Sequence, residues 1–257
     1  MNWTEVARDD AREGVQSLGL WALTGGFFLL TLFIGRFVSR DSLFTGGALA
    51  GTNANTTLLV LTLLFVPVAG LFVSVTSILR AREDDDRDLS TEKGRRELLA
   101  GTFVGRAGVL SAAIVVGFIP ALLVLILQSQ GLALLAALIS LLAAMLFGLL
   151  FVAVGVGISA LARSRAQAIA GGVVAFLLLY AWPFLPGIVG LGTPQALLEQ
   201  FWLVFLFGDI VETLFSLRQG QLLTGHMLGL LILAVAIAVP LAAGYVGLDR
   251  AAAADRL

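Results

Sequence analysis

No cysteine occurs in this sequence, and there is only one histidine, His226. The first absence excludes disulfides, thiolate metal ligands and cysteine nucleophiles together. The second excludes metal sites built from several imidazoles. Lysine is nearly missing as well: the one lysine, Lys93, precedes Gly94. A phosphate-cradling P-loop needs its lysine directly before serine or threonine, so a machine that runs on ATP must bind it on another polypeptide. No HExxH or GxSxG run is present, which removes the common zinc-protease and serine-hydrolase signatures. A net charge of −1 leaves no basic field for nucleic acid. Charge itself is scarce, at 13% of residues, against about a quarter in soluble domains.

What fills the space is apolar: 59% of the residues are hydrophobic. Charge-free gaps run from Glu13 to Arg36, Asp41 to Arg80, Arg106 to Arg163, Arg165 to Glu199 and Arg218 to Asp249. A membrane span needs about 20 apolar residues, and the third gap holds two of them, divided at the polar QSQG of Gln128–Gly131. The expected fold class is therefore all-α, a polytopic membrane protein with six transmembrane helices at 18–38, 56–79, 107–128, 132–161, 167–187 and 227–248, in a single transmembrane domain covering 1–257. Pro67, Pro120 and Pro240 fall inside these spans, which neighbouring helices in a bundle tolerate. The spans carry almost no ionisable groups. Scattered hydroxyls such as Thr24, Thr62, Ser111 and Ser140 are expected to bond a carbonyl one turn back. Proton- or ion-coupled carriers generally need midplane charge, so that class is disfavoured. No catalytic, cofactor or metal site is expected in this chain.

Two segments read as lying along the membrane. In residues 1–17, Trp3, Val6, Ala7, Ala11 and Val15 share one helical face with Leu18 just beyond, while Glu5, Arg8, Asp9, Arg12 and Glu13 share the other. That is an interfacial amphipathic helix rather than a cleavable leader, for it lacks an apolar core with a cleavage site. Within 188–226, the stretch 194–219 is aromatic and apolar but carries Glu199, Asp209 and Glu212. A re-entrant or surface-lying helical segment before the last span suits those carboxylates. A seventh span is the alternative, and it would move the C-terminus to the other side.

Basic residues orient the chain. With six spans, one side receives residues 1–17, 80–106, the 162–166 turn and the C-terminal residues, which together hold thirteen of the sixteen basic residues. Only Arg36, Arg40 and Arg218 fall opposite. Both termini are expected in the cytoplasm and 188–226 outside, with an NTT sequon at Asn55–Thr57 in the outer 39–55 loop. Trp21, Trp182 and Tyr245 sit near span ends as interfacial anchors, and His226 reads as another interface residue. Ala22/Gly26 and Ala153/Gly157 are small-residue pairs that allow close helix approach.

The stretch LRAREDDDRDLSTEKGRREL, Leu79–Leu98, holds thirteen charged residues: six basic and seven acidic. Topology alone calls for arginines, not for EDDD at Glu83–Asp86. Ser90 or Thr91 can cap a helix that begins with acids in its first turn, and 91–104 then leads into the third span. Such a helix is either a rigid docking knob or a solvated connection that keeps topology.

These features together resemble the permease subunit of ABC-type exporters of the ABC-2 class: an amphipathic helix before the first span, six spans, a charged loop after the second, and an outer helical segment before the sixth. ARE at Ala81–Glu83 and GTFVGR at Gly101–Arg106 resemble its charged loop start and its entry to the third span, and ARSRAQAIAGG at Ala162–Gly172 resembles its fourth-to-fifth turn. Thr102 stands where that class usually has lysine. EDDDRD stands where a short Glu-Gly-Thr run is usual. The resemblance implies a multi-pass plasma-membrane subunit paired with a second permease chain, as a homo- or heterodimer. It also implies a cytoplasmic ABC ATPase that holds ATP and Mg and docks on the 80–106 coupling loop. The contact residues implied are Arg82, Glu83, Asp84, Asp85, Asp86, Arg87, Asp88, Glu92, Arg95 and Arg96. A membrane scaffold, assembly factor or sensor that transports nothing is the alternative.

Overall fold

The computed structural model describes residues 2–37, 65–83, 91–127, 131–181 and 224–254. Among the described residues all regular structure is helical. The helices are α1 (Trp3–Gln16), α2 (Leu18–Phe37), α3 (65–74), α4 (Ser77–Glu83), α5 (Glu92–Leu127), α6 (Gly131–Leu161), α7 (Arg165–Phe176, continued by a π turn over Leu177–Ala181) and α8 (Thr224–Ala254). Among the described residues, four stretches are long and apolar enough to cross a membrane: Phe65–Arg82, Glu92–Pro120, Leu141–Leu161 and Leu231–Ala251. Residues 39–55, Trp182, the divide before Gly131 and residues 194–219 lie outside the described residues.

Local chemistry fixes the element ends. Asn2 and Glu5 form a reciprocal capping box on α1. The Thr91 hydroxyl accepts the amide of Gly94 at 3.1 Å, so Thr91 caps α5. Ser164 caps α7 by accepting from the Gln167 amide. The charge-free gap before Arg80 reads as one span, yet it breaks into α3 and α4 at a turn over residues 75–76. Ser159 of α6 bridges the break: its hydroxyl accepts the amides of Ile78 at 3.0 Å and Leu79 at 3.2 Å. These are donors that a new helix start leaves unsatisfied.

Close contacts set the directions. Gly148 faces Val66 and Gly155 faces Ser74, so α3 and α6 run the same way. Gly157 abuts Pro240 and Gly247 abuts Leu161, so α8 runs with them. Phe27 and Thr31 of α2 meet Gly117 of α5, and the Thr31 hydroxyl donates to the Gly117 carbonyl at 2.6 Å. Helices α2, α5 and α7 thus lead away from one end of the bundle, and α4, α6 and α8 return to it. The core holds Phe27 stacked on Phe65 at 4.5 Å and Phe147 edge-on to Phe151 at 5.1 Å, with Ile78, Leu98 and Leu110 fully buried. Apolar side chains gain little by leaving lipid, so close backbone approach at small residues matters here. A Cβ on Gly157 would stand 2.5 Å from the Pro240 carbonyl oxygen. Ala22 and Gly26 make no such approach within the chain: Gly26 has nothing within 4 Å, and the pair faces outward.

Candidate functional site at the charged junction

The end of the bundle where α4 finishes and α5 begins gathers most of the described charge. Helix α1 lies across it. Its buried residues are Val6, Asp10 and Gly14, spaced by four, rather than the wholly apolar face expected from its sequence. The receiving surface on α5 is also spaced by four: Gly101, Gly105 and Val109. A Cβ on Gly101 would come within 2.6 Å of the Val6 side chain, and one on Gly105 within 2.8 Å of the Ala7 carbonyl oxygen. The two glycines of GTFVGR therefore form the groove that α1 fills. Trp3 and Val15 stay half exposed, consistent with a helix that also rests against lipid.

Four charges then alternate across three helices. Arg106 Nη2 of α5 donates to Asp10 Oδ1 at 2.8 Å, and its Nε lies 2.8 Å from Asp10 Oδ2. Both side chains are almost completely buried, which makes this pair the innermost link; the Nη2–Oδ1 contact is its hydrogen bond, and the Nε–Oδ2 approach is a charge contact without hydrogen-bond geometry. Glu13 Oε2 lies 3.4 Å from the same guanidinium, and its Oε1 accepts from Arg80 Nη1 of α4 at 2.9 Å. Arg80 and Glu13 are half exposed. The chain Asp10–Arg106–Glu13–Arg80 thus ties α1 to both helices that flank the 84–90 segment.

A second link joins α5 to α8. Arg95 Nη2 is 2.7 Å from Asp249 Oδ1, with the arginine buried and the aspartate exposed. The next residue, Arg96, has its guanidinium 5.7 Å from the centre of the ring of Tyr245, one turn before Asp249 on α8, and pairs with Glu92 within its own helix. The coupling residues implied by the resemblance therefore divide. Glu92 and Arg96 are exposed at the start of α5, and Arg82 is half-buried near the end of α4, whose last residue is Glu83. Asp84, Asp85, Asp86, Arg87 and Asp88 lie outside the described residues. Arg95 points into the bundle. Asp10, Glu13, Arg106 and Asp249 were missed as site residues, because their partners lie far off in sequence; the signal present was an aspartate on the inward side of α1. The 91–104 helix is not separate from the third span: α5 continues unbroken from Glu92 to Leu127. Among the described residues no group of three or more potential metal ligands occurs.

A family described as ABC-2 family transporter protein matches residues 4–252. No curated protein matches the chain.

Proposed function

Because the chain belongs to the ABC-2 family of transporter proteins, a family of multi-pass membrane transport subunits, we propose that it is the permease of an ATP-driven exporter and is worked by a separate cytoplasmic ATPase. Two permease chains pair in the plasma membrane, each with six spans and both ends in the cytoplasm. The ATPase holds ATP and Mg and docks on Arg82–Asp88, Glu92 and Arg96. The observation that carries this reading is the alternating ion-pair chain through Asp10, Arg106, Glu13 and Arg80. It holds the two flanks of the docking segment and α1 as one body, so a push on the segment moves α1, α4 and α5 together. Arg95 and Asp249 pass the movement to α8.

The test is purification of the tagged full chain from its native membranes. An ABC ATPase is expected to copurify. Replacing Asp84, Asp85, Asp86 and Asp88 together with alanine is expected to weaken that association while the permease is still made. Unchanged association would remove the segment from the contact. A chain that never carries an ATPase would favour the scaffold or sensor reading.

A further inference from the structure

A cavity of about 440 Å³ opens beside the charged junction. Its back wall comes from α3, the 75–76 turn and α4, and along it Val68, Phe72, Thr76 and Arg80 follow one another at every fourth position, with Leu71, Val73 and Val75 beside them. This stripe of four is graded, from two apolar side chains through a hydroxyl to a guanidinium. Leu20 of α2 forms one side and Ile169 and Val173 of α7 the other. Gly19 admits the Phe72 ring against α2, and Gly172 admits Val75 against α7, so the groove is set by backbone approach on both sides. Val68 and Arg80 are twelve residues apart, which at 1.5 Å per residue is about 18 Å, less whatever the turn at 75–76 takes from it. One leaflet of hydrocarbon is roughly 15 Å deep, half of a core of about 30 Å.

We infer that this groove holds one acyl chain of a zwitterionic aminophospholipid, with the lipid phosphate on Arg80 and its ammonium on Glu13. The polarity gradient of the stripe is that of a membrane leaflet, and its length matches one. The apolar part offers half-exposed Phe72, Ile169 and Val173 to a hydrocarbon chain. At the polar end Arg80 lines the groove, and its partner Glu13 stands at the rim, next to Gly14 of the lining, with both members of the pair about half exposed. Glu13 takes one of the five donors on the Arg80 guanidinium, which leaves the fork able to meet a phosphate oxygen. Deeper in, Arg106 is matched by Asp10. Two arginines against two carboxylates make a neutral pocket, which suits a neutral headgroup that carries one charge of each sign. A purely anionic headgroup would meet a rim whose two arginines are already matched by Glu13 and Asp10, with no net positive charge to receive it.

The test uses the full chain in lipid nanodiscs with phosphatidylethanolamine that bears a photoreactive group on one acyl chain, and phosphatidylglycerol labelled the same way. Crosslinks from the ethanolamine lipid are expected within residues 68–80 and 165–176. Val173→Trp and Ile169→Trp each place bulk in the groove from an exposed position, and both are expected to cut labelling by roughly fivefold, the ratio given by about 1 kcal/mol, with monodisperse elution retained. Glu13→Gln is expected to erase the preference for ethanolamine over glycerol headgroups. Labelling unchanged in both tryptophan variants, equal labelling by phosphatidylglycerol in the native chain, or a Phe72→Cys to Val173→Cys disulfide between two copies would each overturn the inference.

Discussion

Arg106 shows how much of this molecule rests on single side chains. Its charge has left water almost completely and is met by Asp10. Removing one member of such a pair leaves the other buried and uncompensated, which costs about 3–5 kcal/mol, whereas replacing both by apolar groups of similar size is often neutral. Arg106→Met is therefore expected to release α1, read as faster hydrogen exchange over residues 3–16 and a lower unfolding temperature in detergent. Asp10→Leu combined with Arg106→Met is expected to recover most of that loss. A double variant as damaged as the single one would mean that Arg106 acts elsewhere. Thr102 gives the opposite sign. Its hydroxyl is fully buried and has no hydrogen-bond partner among the described residues. Thr102→Val keeps the shape and removes an unmet group, so stability is expected to rise by up to about 1 kcal/mol in the same unfolding assay. Little of this was legible in the sequence. A charged residue within an apolar context is visible, but its partner lies 96 residues away, and no local period connects them. The hydroxyls were better served: Thr24 does bond the Leu20 carbonyl one turn back, at 2.8 Å.

Helices were the most readable level, because charge-free runs and caps are local properties. The start of α5 was legible as a cap followed by an acid, and Thr91 and Glu92 fill those places. What a hydropathy pattern does not encode is a break inside an apolar run. The turn between α3 and α4 falls in a short hydroxyl run, Ser74, Thr76 and Ser77, too mild to interrupt the charge-free gap, and Ser159, a helix away, supplies the acceptor for the amides that follow it. Ser74 and Ser77 add to it by bonding the carbonyls of Gly70 and Ser74. Ser159→Ala strands two buried amides, each worth about 1–3 kcal/mol when unmet. The expected result is faster hydrogen exchange confined to 75–83, with 65–74 still protected. If the whole of 65–83 opens together, the break is not a separate unit. The turn at 75–76 also separates α4, which Arg80 ties to α1, from α3, which suits the part proposed for α4 in force transmission.

At the scale of the whole molecule, direction is the property that matters. α4 ends, α5 begins, α6 delivers Ser159 and α8 delivers Asp249 at one end of the bundle. The placement of thirteen of the sixteen basic residues on one side predicts that this end is cytoplasmic, and the helix directions allow a direct test. The chain has no cysteine, so single cysteines can be labelled without a background. Arg163 sits exposed in the turn between α6 and α7, and Ala253 is exposed near the end of α8. Arg163→Cys and Ala253→Cys are both expected to resist a membrane-impermeant maleimide in intact cells and to react after permeabilisation. Asn55→Cys is expected to react from outside. The pair at Arg163 and Ala253 carries the decision about 194–219. A segment that lies on or re-enters the membrane leaves them on one side, while one extra crossing between α7 and α8 would put them on opposite sides. The Arg95–Asp249 contact places the end of α8 beside the start of α5, so labelling on opposite sides would break both the even count of spans and that ion pair. Reaction of Arg163→Cys from outside would invert the chain and put the ATPase-docking segment out of reach of any cytoplasmic partner.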